Sequence, residues 1–115
     1  MVSAEETLRR LAIGDPALLA DASAHGRDAR AHRLDPRTES LVRVAVLVPI
    51  DAPQSSYVAA VEAAIRAGAT LDDLVDALIA VAGSVGWPRV VSAAPRIALA
   101  AGYDVDAALE ATDPP

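Results

Sequence analysis

The chain has 115 residues and is 53% hydrophobic, but much of that is alanine, with no Phe, one Trp and two Tyr, so its core is thin and splitting it would leave pieces too small to fold: a single domain, 1–115, is expected. The formal net charge is −6 and every cationic side chain is Arg, which leaves no basic stripe for a phosphate backbone and excludes nucleic acid as a partner. The absence of Cys removes disulfides, thiolate metal ligation and thiol redox chemistry together.

Ser3 and Glu6 have the spacing of a capping box, and Leu8, Leu11 and Ala12 give the helix behind them an apolar edge that Gly14 ends. Asp15 followed by Pro16 predicts a second helix to about Arg30, although Gly26, Arg27, Asp28 and Arg30 offer its later half little to bury. Asp35 and Pro36 repeat the device. Behind them, Leu41 to Ile50 is rich in β-branched residues, and propensity alone favours a strand. Helix is preferred, because the Asp-Pro start sets helical geometry and no second strand-like run exists to satisfy a lone strand's backbone. A helix apolar on nearly every side belongs at the centre of the domain or in a subunit interface, and Arg43 is its one charged interior residue.

From Asp51 to Pro88 the pattern predicts a helical hairpin. Tyr57, Val58, Val61, Ala64 and Ile65 line one face of its first helix, and Gly68 ends it. Thr70 and Asp73 form a second capping box, and Leu71, Leu74, Val75, Leu78, Val81, Ala82 and Val85 continue the period until Gly86 and Pro88 stop it. Val90, Val91, Ala94, Ile97, Ala98 and Ala101 define one more face, in which Pro95 should introduce a kink, and after Gly102 the residue Asp104 can cap a short helix through Leu109. The expectation is an all-α domain of six or seven helices. No apolar run approaches the ~20 residues of a membrane span, and Met1 to Arg10 is polar and capped, so a soluble, cytoplasmic protein is expected. The thin core also predicts a homo-oligomer.

Leu34-Asp35-Pro36-Arg37-Thr38, an apolar helix, Ala63-Ala64-Ile65-Arg66-Ala67-Gly68-Ala69-Thr70, the acidic helix start at Asp72-Asp73 and Gly86-Trp87-Pro88 follow one another in an order that resembles the carboxymuconolactone decarboxylase superfamily, which also holds the alkylhydroperoxidase D-like proteins. The resemblance implies an all-helical, alkylhydroperoxidase D-like domain that assembles as a homotrimer or homohexamer. In the peroxidase branch a Cys-x-x-Cys pair followed by His falls near Pro53, Ser56 and Ala60, and none of these is Cys or His. Peroxide reduction by that route is therefore excluded. The decarboxylase branch carries His at the positions of Ala60 and near Pro95, which this chain also lacks, although Ser40-Leu41-Val42 looks more like that branch.

Three constellations remain. Asp21, His25, Asp28 and His32 share one stripe of a continuous helix, either a metal-binding or acid-base face or a solvated face with ordinary Asp to His pairs; the second is preferred because one helix seldom surrounds a metal, and no metal is assigned. Ser55, Ser56 and Tyr57 replace the family's reactive segment, with Glu62 one turn on, so Tyr57, Glu62 and Ser56 are the catalytic candidates; the alternative is a polar helix start, a core tyrosine and a surface Glu62 to Arg66 pair. Arg43, Arg89 and Arg96 lie on or beside apolar faces, and Arg89 and Arg43 are the candidate holders of a small carboxylate, with Trp87 as the wall of a pocket between the Tyr57 and Arg89 helices; Arg to Asp bridges within or between subunits are the competing account. The function expected first is a family-like protein without redox activity, a cofactor-free lyase or isomerase acting on a small carboxylate or lactone; the alternative is a catalytically silent oligomeric binding or scaffold module.

Overall fold

The computed structural model describes residues 3–25, 34–103 and 109–111. They hold six helices, α1 (Ala4–Ala12), α2 (Pro16–His25), α3 (Pro36–Ala45), α4 (Gln54–Arg66), α5 (Leu71–Val85) and α6 (Trp87–Ala100), with a helical turn at 109–111 and no strand among the described residues. The chain divides into two compact units, 1–33 and 34–115.

In the first unit Ser3 caps α1 by accepting from the Glu6 N–H at 3.1 Å, but the Glu6 carboxylate does not reciprocate. It goes forward to Arg9, at 3.0 and 2.6 Å, so the expected box is half made. Asp15 accepts from the Ala17 N–H at 2.9 Å and from Arg10 at 2.7 Å, and Arg10 and Ala17 together hold its carboxyl below the usual range. None of α1's residues is buried, and Leu8, Leu11 and Ile13 are exposed. The expected continuation of α2 to Arg30 lies outside the described residues, as do Asp28 and His32 of the Asp-His stripe and residues 104–108 of the last short helix.

The second unit is a four-helix arrangement in which α3 and α6 each pack against both α4 and α5. α4 and α5 do not pack on each other. The expected hairpin is thus two consecutive helices on the diagonal of the bundle, joined through Gly68 at φ 98°, a conformation that glycine takes at no steric cost. The core is Val44, Val48, Ala52, Tyr57, Val61, Ala64, Ala69, Leu74, Ala82, Val90, Ala93 and Ile97, so Tyr57 is its one aromatic ring. The segment 36–50 is helical only to Ala45. Beyond it the chain turns through bonds from the Leu47 N–H to the Val44 carbonyl and from the Val48 N–H to the Ala45 carbonyl, at 3.1 and 3.2 Å; in a continued helix the Pro49 ring would clash with the Ala45 carbonyl four residues back. Val44 and Val48 point into the core, whereas Val42, Val46 and Ile50 are exposed, so within one chain this segment is half covered rather than surrounded.

At the start of α5 the capping box closes fully. The Asp73 N–H donates to the Thr70 hydroxyl at 3.1 Å, and the Thr70 N–H donates to the Asp73 carboxylate at 2.8 Å. Arg37 on α3 adds two hydrogen bonds to the same carboxylate, one of them 2.9 Å, and ties α3 to α5. Arg37 first, and then the Thr70 N–H, pull the Asp73 carboxyl down to about 2 from an ordinary 3.8. Because the folded pKa is the lower of the two, this stabilisation is fully present above the unfolded value and is lost as pH falls toward 2. Acid titration of the folded fraction should therefore show a loss between about pH 4 and pH 2 that Asp73→Asn flattens; an unchanged acid limb in that variant would show that the bridge contributes nothing.

Candidate functional site

α4 carries the three catalytic candidates, and its residues are placed by a simple rotation. With 3.6 residues per turn, each step along a helix turns by about 100°, so Ser56, Tyr57 and Glu62 point in three directions at least about 100° apart. Tyr57 faces the core and is 1% exposed, Ser56 is half-buried and Glu62 is exposed. The three catalytic candidates therefore do not converge on one reacting atom. Burial is the first cause that pushes the Tyr57 hydroxyl above its ordinary pKa, and the Arg96 charge opposes it. The expected Glu62 to Arg66 pair is not formed.

The arginines separate in the same way. Arg43 is exposed on α3 and donates to Glu39 of its own helix at 2.8 Å, as an i,i+4 surface pair. Arg89 and Trp87 are exposed at the start of α6, and Arg89 makes no ion pair among the described residues. α3 lies diagonal to α6, so Arg43 sits on a different helix seam from Arg89 and Trp87.

Arg96 is the arginine that meets the Tyr57 region. Its guanidinium donates to the Ala52 carbonyl at 2.6 Å and to the Asp51 carboxylate at 3.2 Å, while the Gln54 amide donates to the Arg96 carbonyl at 2.8 Å. These three bonds join residues more than forty positions apart and clamp the start of α4 onto α6 beside Pro95, through which α6 runs unbroken. Asp51 is the one non-glycine at positive φ among the described residues, at 50°, a conformation that Asp tolerates better than most and that the bond from Arg96 helps to hold. The clamp is built from donors already satisfied by protein oxygens, which suits a structural strap. Asp51 and Gln54 carried no periodic signal of their own; their importance comes from a contact across the bundle.

An open groove of about 360 Å³ runs between α3 and α5, over Leu41, Ala45, Ala77 and Val81, with Thr38, Asp73 and Asp76 as its polar members. None of Tyr57, Ser56, Glu62, Arg43, Arg89 or Trp87 lines it. The described residues bring no three of His, Asp and Glu together as a metal-binding group, and no described helix is long and apolar enough to cross a membrane.

A model of the carboxymuconolactone decarboxylase family matches residues 16–102, a span that takes in the Asp35-Pro36 start, the turn from Ala67 to Thr70 and the Gly86-Trp87-Pro88 segment. No curated protein and no solved structure matches the chain.

Proposed function

The chain belongs to the carboxymuconolactone decarboxylase family, and we propose that it serves as a homo-oligomeric binding or scaffold module that kept the helical framework without redox or decarboxylase chemistry. The observation that carries this reading is the run of large apolar side chains left outside on two helices packed together. On α5 these are Leu71, Val75 and Ile79, and on α6 they are Trp87, Val91 and Leu99. Within each helix they recur every fourth or eighth residue, so each set forms a stripe. Ile79 is 57%, Trp87 60% and Val91 67% exposed, in a chain whose own core holds a single aromatic ring. Covering such side chains contributes about 1.5–3 kcal/mol each, which favours association of identical copies as a trimer or hexamer.

The dispersal of Tyr57, Ser56 and Glu62 around α4 supports the same reading, since a general acid or base must reach the proton it moves. One observation favours the lyase or isomerase alternative: Arg89 is exposed and makes no ion pair among the described residues, so its planar fork is open to a ligand carboxylate. Thermal unfolding in the presence of benzoate, succinate and γ-butyrolactone separates the two. The scaffold reading expects the same midpoint with and without each compound, in the native chain and in Arg89→Ala and Tyr57→Phe. A ligand-induced rise that Arg89→Ala removes would transfer the assignment to the lyase.

A further inference from the structure

The groove between α3 and α5 lies apart from the α5 and α6 stripes, and none of their six side chains lines it. Its volume of about 360 Å³ falls within the range of about 300–1,000 Å³ that small-molecule sites occupy. Leu41 and Ala45 of α3 and Ala77, Ala80 and Val81 of α5 supply an almost wholly apolar lining. The polar groups are unequal. Asp73 is committed to Arg37 and to the Thr70 N–H, and the Thr38 hydroxyl bonds to Asp35. Asp76, one turn further along α5, is exposed and makes no hydrogen bond or ion pair among the described residues.

We propose that this groove binds a small cationic amphiphile, whose apolar body lies along Leu41, Ala45, Ala77 and Val81 and whose ammonium group pairs with Asp76. Charge complementarity selects this occupant. A carboxylate ligand would meet Asp76 uncompensated, whereas an ammonium group would pair with it. From Thr38 to Ala45 helix α3 rises about 10 Å at ~1.5 Å per residue, the length of an eight-carbon chain.

Isothermal titration of the whole chain with n-octylammonium, n-octanol and octanoate tests the assignment. Octylammonium should bind tightest, octanol about two- to fivefold more weakly, as the loss of one exposed ion pair implies, and octanoate weakest. Asp76→Asn should bring octylammonium and octanol to equal affinity. Asp72→Asn removes the same unit of charge from the first turn of α5 outside the groove and should leave the order unchanged. Ala80→Trp should abolish binding of both octylammonium and octanol by filling the groove. Sedimentation of each variant, read alongside, keeps loss of assembly distinct from loss of binding. Equal affinity for octylammonium and octanoate, an unchanged order in Asp76→Asn, binding that survives Ala80→Trp, or no binding of any probe would each overturn the proposal; in the last case, a change of mass in Ala80→Trp would assign the groove to a second copy instead.

Discussion

Leu74→Ala should destabilise the protein by about 2–5 kcal/mol, out of a total of about 5–15 kcal/mol for a domain of this kind. Leu74 is 0% exposed on α5, the helix that packs on both α3 and α6. Its buried neighbours in the core are mostly valine and alanine, whose short side chains have little freedom to swing into the space left behind. The cavity therefore stays open, and the cost falls toward the upper part of the range. Scanning calorimetry should show the unfolding midpoint lowered by ~10 °C or more. A midpoint within a degree or two of the native chain would mean that Leu74 is not a core residue and that the seams of α5 with its neighbours are misassigned.

The second large effect is on association. In Ile79→Glu combined with Val91→Glu, two exposed stripe residues become charged without any buried side chain being touched. The folded chain should be unharmed, since both positions already contact water within one protomer. A copy-to-copy interface on these stripes would have to bury added carboxylates where it had buried branched hydrocarbon, a loss that few interfaces survive. The expected result is an unchanged far-ultraviolet circular dichroism spectrum together with a shift from oligomer to monomer. If the mass is also unchanged, the stripes do not mediate assembly.

Helix starts and stops were legible residue by residue, because the signals are local. Asp35 accepts from the Thr38 N–H at 2.7 Å, Thr70 and Asp73 exchange both bonds of their box, and Gly68 and Gly86 take the positive φ that their positions demanded. The choice of helix over strand for Leu41 to Ile50 holds as far as Ala45. Where it stops, the determinant was visible in Pro49, whose ring cannot sit over the Ala45 carbonyl of a continued helix whatever the hydrophobic pattern says. Partner choice was not legible. Adjacent helices with a short turn suggest a hairpin, yet α4 and α5 are held on the diagonal because each finds its apolar contacts with α3 and α6 instead.

The directions in which the candidate side chains point could be read from the helical period, and their partners across the bundle could not. The spacing of Tyr57 and Glu62 already places them about 140° apart on a helix, so their divergence follows from the same 3.6-residue period that identified α4. Arg96 stood among three arginines with nothing to distinguish it, since its partners Asp51, Ala52 and Gln54 come from the far side of the sequence. The groove depended on which faces of α3 and α5 meet, and no single-helix pattern records that. Periodicity reports how much of a helix is apolar; it does not say whether that surface meets the same chain, another copy or a ligand.

Sedimentation equilibrium of the native chain at micromolar concentration is the most direct test of the proposed assembly. A mass of three or six times the 11.8 kDa protomer, held on dilution, is the predicted result. A single species of 11.8 kDa across the concentration range would contradict it.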